Sequence, residues 1–180
     1  MKNTKTEMRF FTVVDWEQEQ EYLSRKHRDG WKFVKVNGLC FYHFEKCEPE
    51  DVVYQLDYNP EGMENKGEYV QMFADCGWEY LQDYLGYSYF RKPQAQMQTN
   101  ESIFCDDESR LDMLMRVLKG RMLPLLGLFF ALLISGIVLQ ASMGNTVLVC
   151  IYAALIALYG CVFVRFARKL LQYRKSIEEK

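Results

Sequence analysis

Between Arg121 and Arg165 the chain carries no charged residue. The run is 43 positions long, residues 122–164, and consists mostly of Leu, Ile, Val, Phe, Ala, Gly and Cys. One membrane crossing needs about 20 apolar residues to span roughly 30 Å of hydrocarbon. Two crossings and a tight turn use nearly all of this stretch. The interruption at Ser142, Met143, Gly144, Asn145 and Thr146, with Gly-Asn as the turn signal, divides it. Residues 122–141 and 147–164 are therefore expected to form a transmembrane helical hairpin.

Charge sets the expected orientation. Residues 1–109 hold 12 Lys/Arg and 21 Asp/Glu, a balance of −9, whereas residues 110–180 hold 10 and 3, a balance of +7. Arg110, Arg116, Lys119 and Arg121 precede the first span, and Arg165, Arg168, Lys169, Arg174 and Lys175 follow the second. Basic flanks stay on the cytoplasmic side. Both termini and the soluble region are thus expected in the cytoplasm, with the chain multi-pass in the inner (cytoplasmic) membrane and residues 165–180 as a basic tail. Residues 1–8 are polar with no apolar centre, so no cleavable signal peptide is expected. Of the six cysteines, none pairs at CxxC spacing, and the only histidines are His27 and His43. This pattern predicts small buried thiols and neither metal site nor cofactor.

The soluble region is internally repeated. Glu21-Tyr22, Gly30-Trp31 and Phe33 recur 47 positions later as Glu68-Tyr69, Gly77-Trp78 and Tyr80. Tyr42-His43-Phe44-Glu45-Lys46 then matches Ser88-Tyr89-Phe90-Arg91-Lys92 with one residue deleted. The repeats are placed at about residues 8–47 and 51–93 of a domain covering 1–95. In the first copy, residues 9–15 predict a strand, and Asp15 with Gln18 a capping box opening a helix to about Arg28. Glu17, Glu19 and Glu21 are expected on that helix's solvent face. Gly30 supplies the left-handed terminator, with Trp31 folding back on the last turn. Residues 31–36 and 39–46 predict a hairpin about a type I′ turn at Asn37-Gly38. In the second copy, residues 52–58 predict a strand and 64–76 a helix burying Tyr69, Val70, Met72 and Phe73. Gly77 ends that helix, and residues 78–84 and 87–92 form a hairpin about Leu85-Gly86. The fold class is α+β: a duplicated strand-helix-strand-strand unit with a mainly antiparallel sheet, its helices on one face, followed by the hairpin.

The two Gly-Trp pairs, Tyr42-His43-Phe44-Glu45-Lys46-Cys47, Tyr54-Gln55-Leu56-Asp57-Tyr58 and the stretch from Ala74 to Tyr80 followed by Tyr89-Phe90-Arg91-Lys92 carry a resemblance. Over residues 5–95 the chain resembles the bacterial domain of unknown function 2812 family. That resemblance implies a following hairpin and an association with PadR-like transcription regulators. The doubled layout is also similar to gyrase-inhibitor-like effector domains, which implies small cationic aromatic ligands at fold level only.

Residues 96–121 predict a polar linker and an amphipathic juxtamembrane helix, with Leu111, Leu114, Met115 and Leu118 on one face. Its basic end suits anionic lipid. Small residues recur every four positions in both spans: Gly127, Ala131 and Ser135, then Ala153, Ala157 and Cys161. An antiparallel hairpin sets Gly127 level with Cys161, Ala131 with Ala157 and Ser135 with Ala153, a spacing that admits close helix packing. No intramembrane charge marks a transport path.

No glycine-rich phosphate loop, GxSxG elbow or HExxH motif occurs, so an enzyme is not expected. An acidic soluble domain repels phosphate, which argues against direct nucleic-acid binding. Besides a small structural membrane subunit whose soluble domain only supports oligomerisation, two functions remain. One is a membrane-anchored regulatory domain that binds a protein, a PadR-like regulator by the resemblance. The other is a sensor of cationic amphiphiles, with Trp31, Tyr54, Trp78 and Tyr80 as ring faces and Glu45 as counter-charge in a cleft between repeats. Asp57, Glu79 and Asp83 are further candidate counter-charges.

Overall fold

The computed structural model describes residues 3–38, 40–60, 64–97, 107–143 and 146–178. The chain divides into two compact units, Met1–Ser109 and Arg110–Lys180. Expected positions Leu39, Thr99, Asp106, Gly144 and Asn145 lie outside the described residues.

The first unit runs β1 (Thr4–Met8), α1 (Trp16–Arg28), β2 (Trp31–Asn37), β3 (Phe41–Lys46), β4 (Val52–Tyr58), α2 (Lys66–Asp75), β5 (Glu79–Tyr84) and β6 (Tyr87–Pro93). The duplicated strand-helix-strand-strand order is present, and all pairing is antiparallel. It is divided into two three-stranded sheets, β1-β3-β2 and β4-β6-β5. In each, the last strand of the repeat is central. Both hairpins carry a register shift at equivalent places, between Phe33 and Lys35 and between Tyr80 and Gln82.

The first strand differs from expectation. Residues 9–15 are not a strand; β1 lies just before them. Thr12 donates its N–H and hydroxyl to Asp15 Oδ2, which ties this stretch into a turn. Asp15 therefore faces backwards and makes no side-chain cap on α1, so the capping box is absent. Helix α1 does end at Arg28, and Gly30 and Gly77 take φ of +81° and +79° as terminators. Trp31 starts β2, with the Lys5 ammonium 5.5 Å from its ring centre. A type I′ turn needs positive φ at both central residues. Leu85 and Gly86 satisfy this at +50° and +83°, whereas at Asn37-Gly38 only the glycine is positive. The I′ hairpin thus belongs to the second copy.

The two helices do not cover one common face. Helix α1 lies on the inner face of the first sheet, its Tyr22 edge-on to Tyr42 and Phe44, and also packs along β4. Helix α2 covers the opposite face of the second sheet, where Tyr69, Phe73, Trp78 and Phe90 form a cluster. Val70 lies at its margin, and Met72 is 54% exposed, so that helix buries a narrower stripe than expected. The second sheet is consequently buried on both sides: Tyr54, Leu56, Tyr58 and Tyr89 on one, Gln55, Asp57, Ser88 and Phe90 on the other.

The second unit holds two helical stretches. α3 (Asp107–Val117) passes through a π-helical segment, Leu118–Met122, into α4 (Leu123–Met143), and α5 spans Thr146–Glu178. Two segments, Ser109–Gly136 and Cys150–Ile177, are long and apolar enough to cross a membrane, and only 11% and 6% of their most apolar stretches are buried. A soluble core helix shows the opposite.

The helices meet at the expected level but through another face. Phe129 stacks on Tyr159 with ring centres 4.8 Å apart, and the Tyr159 hydroxyl donates to the Met122 carbonyl. A Cβ on Gly136 would press into the Tyr152 ring, so the glycine leaves that ring its room. Gly127, Ala131, Ser135, Ala153, Ala157 and Cys161 do not form this contact: a Cβ on Gly127 would meet open space, and Ala153, Ala157 and Cys161 are exposed. On α5 the contact follows Tyr152, Tyr159, Phe166 and Tyr173, one aromatic every seventh residue, the spacing that returns to the same helical face.

Candidate functional site

The expected aromatic cleft does not assemble. Trp31 and Glu45 lie in the first sheet, half-buried and exposed respectively. Trp78 is buried under α2, and Tyr80 borders the same cluster with Lys66 above its ring. Only Tyr54 reaches the junction between the repeats. The proposed counter-charges are occupied: Glu45 faces Lys32, Glu79 takes a double hydrogen bond from Arg91, Asp83 pairs with Lys66, and Asp57 accepts from Tyr69. An open surface depression lined by Asn3, Thr4, Glu45, Lys46, Cys47 and Glu48 lies apart from the aromatic core.

A different group does assemble at the junction. Glu19, one turn into α1, is buried, with 6% of its surface exposed. Its Oε1 accepts from the Tyr42 hydroxyl of the first repeat and the Tyr89 hydroxyl of the second, both at 2.6 Å. Among the described residues its other oxygen accepts no hydrogen bond. Phe33 fills the space beside it, stacked on Tyr89 at 5.6 Å and edge-on to Tyr54. The Tyr54 hydroxyl accepts the Phe33 N–H and lies 2.8 Å from His27 Nδ1. One carboxylate and three phenols thus join α1, β2, β3, β4 and β6.

Electrostatics follow from that burial. Desolvation pushes the Glu19 carboxyl up despite its two phenol donors, and nearby Asp15 adds to the rise. Burial and the Glu19 charge push both Tyr42 and Tyr89 up, so they remain donors. His27 is pushed down by burial and by Arg91, which favours neutral imidazole. Glu7 behaves oppositely. Burial opposes its ionisation, but hydrogen bonds from Lys26, Lys5 and Tyr22 outweigh this and hold it at about 2.

The expectation that Glu17, Glu19 and Glu21 share a solvent face fails at Glu19. The signal was present: Glu19 lies three residues after Trp16 and four before Leu23, on the stripe those buried residues define. Tyr42 and Tyr89 were legible as strand residues, but their shared acceptor was not.

A family model described as "Protein of unknown function (DUF2812)" matches residues 15–126. That is more than half of the chain, and the chain belongs to this family. The match runs beyond the expected 5–95 into α4. No curated protein and no solved structure matches.

Proposed function

We propose that this DUF2812 chain is a non-enzymatic, membrane-anchored regulatory module whose soluble domain lies in the bacterial cytoplasm and binds a basic protein partner. The family resemblance makes a PadR-like transcription regulator the partner class. The observation that carries this reading is the segregation of charge: −9 before residue 110 and +7 from there on. The connector between repeats adds to it, since Glu48, Glu50 and Asp51 are all exposed there. A domain of this sign steers a basic partner towards itself and competes for the surface such a regulator shows to DNA. The core supports the same reading, because its rings fill the space between repeats.

The test is salt-dependent binding of a PadR-like protein to the full chain in membranes. Reversing Glu48, Glu50 and Asp51 to Lys should weaken binding and flatten its salt dependence without lowering thermal stability. Unchanged affinity would end this reading. Orientation is tested separately: a reporter active only outside the cytoplasm should be active at Gly144-Asn145 and silent after Lys180.

The buried Glu19 favours a second reading, a sensor of cationic amphiphiles. A carboxylate with one unengaged oxygen among aromatic rings is the chemistry that holds an organic cation. Saturable quenching of tryptophan fluorescence by such a cation, lost in Glu19→Gln, would support it. Binding that is unchanged in Glu19→Gln would count against it.

A further inference from the structure

The two sheets have four outer edges, and side chains or a helix cover three. Beside β2, the Phe33 N–H donates to the Tyr54 hydroxyl. The Gln82 side-chain amide both accepts the Val36 N–H and donates to the Val36 carbonyl, standing in for a strand. The neighbouring edge of β5 is that from which Gln82 reaches across, and Tyr84 donates to the Gly38 carbonyl from the same strand. At β4, helix α1 runs along the edge, and Ser24 Oγ accepts the Tyr54 N–H. Only β1 is left. The bonds from Lys46 N–H to the Asn3 carbonyl and from Arg9 N–H to the Cys40 carbonyl show which residues face β3. Residues 3, 5, 7 and 9 do, so Thr4, Thr6 and Met8 turn their N–H and carbonyl groups outward.

The geometry points to β1 as the docking edge for a second copy of this chain, the two β1 strands pairing antiparallel about a two-fold axis at Thr6. The strand is complementary to itself in that register. Thr4 would exchange backbone hydrogen bonds with Met8 of the second copy, Thr6 with its own counterpart, and Met8 with Thr4. Lys5 would stand opposite Glu7, and Glu7 opposite Lys5. An axis at Lys5 or Glu7 sets like charges directly opposite, which destabilises a strand pair, and an axis at Thr4 or Met8 shortens the pairing. Charged residues facing inward on an edge strand discourage unselective pairing. Here the same charges leave one favourable register across the whole strand. Met8 and Phe10, 72% and 73% exposed, and Phe41 beside Met8 supply apolar surface at both ends of the pair. Anchoring in one membrane raises the effective concentration of copies and favours a short contact.

The experiment uses the full chain in its own membranes and a short thiol-to-thiol crosslinker. Thr6→Cys should give a product of twice the chain's mass. Wild type, with its own cysteines, and Lys35→Cys, on β2 at the opposite edge of the same sheet, should not. Thr6→Pro removes the outward N–H while leaving the ladder to β3 intact. It should lower the dimer fraction in nanodiscs about tenfold, the effect of losing the exchanged bonds at the axis. Its melting midpoint should stay near that of wild type. The proposal is overturned if Thr6→Cys links no faster than Lys35→Cys. It is also overturned if the product is not twice the chain's mass, which would mean another protein occupies the edge. A dimer that survives in a folded Thr6→Pro chain would be held by the helices, and this too would overturn the proposal.

Discussion

The two repeats share a chain path but not an environment. Each sets a helix tyrosine against an acid on its first strand: Tyr22 donates to Glu7 and Tyr69 to Asp57. Glu7, however, is half-buried and also holds Lys5 and Lys26, whereas Asp57 is 4% exposed. The second copy is covered on both sheet faces and the first on only one. The tryptophans after the terminating glycines show the same split, Trp78 buried and Trp31 half-exposed. A duplicated sequence therefore specifies the hydrogen bonds of each copy, while the neighbour it meets decides what those bonds are worth.

The tryptophans test this most strongly. In the detergent-solubilised chain, Trp78→Ala should cost about 3–5 kcal/mol and Trp31→Ala under about 1 kcal/mol. Equal losses in denaturant unfolding would erase the asymmetry. The tyrosine pair should repeat it on a smaller scale. Tyr69→Phe leaves a buried acid short of a donor and should cost about 2 kcal/mol, against about 1 kcal/mol for Tyr22→Phe. The terminating glycines should reverse the order. Both have positive φ, but a Cβ at Gly30 meets the Cys47 carbonyl at 3.2 Å, and one at Gly77 meets only the flexible Lys92 chain at 3.4 Å. Gly30→Ala should lower the melting midpoint more than Gly77→Ala, a gap of about 1 kcal/mol.

The smallest effect is in pH dependence, and it resides in the first repeat. Glu7 is depressed to about 2, so its stabilisation is present above the ordinary carboxylate value and fades as pH falls towards 2. Glu19 is raised, so its contribution is full below the ordinary value and is lost as pH rises through the folded value. Melting curves should show Glu7→Gln flattening the acid limb. Glu19→Gln should be neutral in acid and stabilising near pH 8. A Glu19→Gln chain that loses stability at both ends would show that the carboxylate, rather than its shape, holds the two phenols.

Much of the fold was legible because local chemistry and tertiary context agreed. The repeat offset, the end of α1, the span of β4 and the left-handed glycines all follow from residues read in place. Strand β1 was missed because Lys5 and Glu7 face inward and Met8 outward, which inverts the alternation that marks a strand. Glu19 was misplaced because an ionisable side chain argues for solvent unless its partners are known, and those come from strands 23 and 70 residues away. In the membrane helices, opposing levels were legible from length alone. The packed face was not, since small residues and aromatics at regular spacing both make credible seams.

The π-helical turn at Leu118–Met122 keeps two stretches of one helix in phase. The inward positions run Met113, Leu114 and Val117, then step by five to Met122, and continue through Leu126, Phe129, Leu133 and Gly136 at threes and fours. A regular α-helix advances about 100° per residue. Without the extra residue, the step of four after Val117 would turn Arg121 into the seam and swing Met122 out. The wide turn acts as an angular offset between the charged stem and the apolar rod. It lets one helix obey two different solvents without rotating either part out of register.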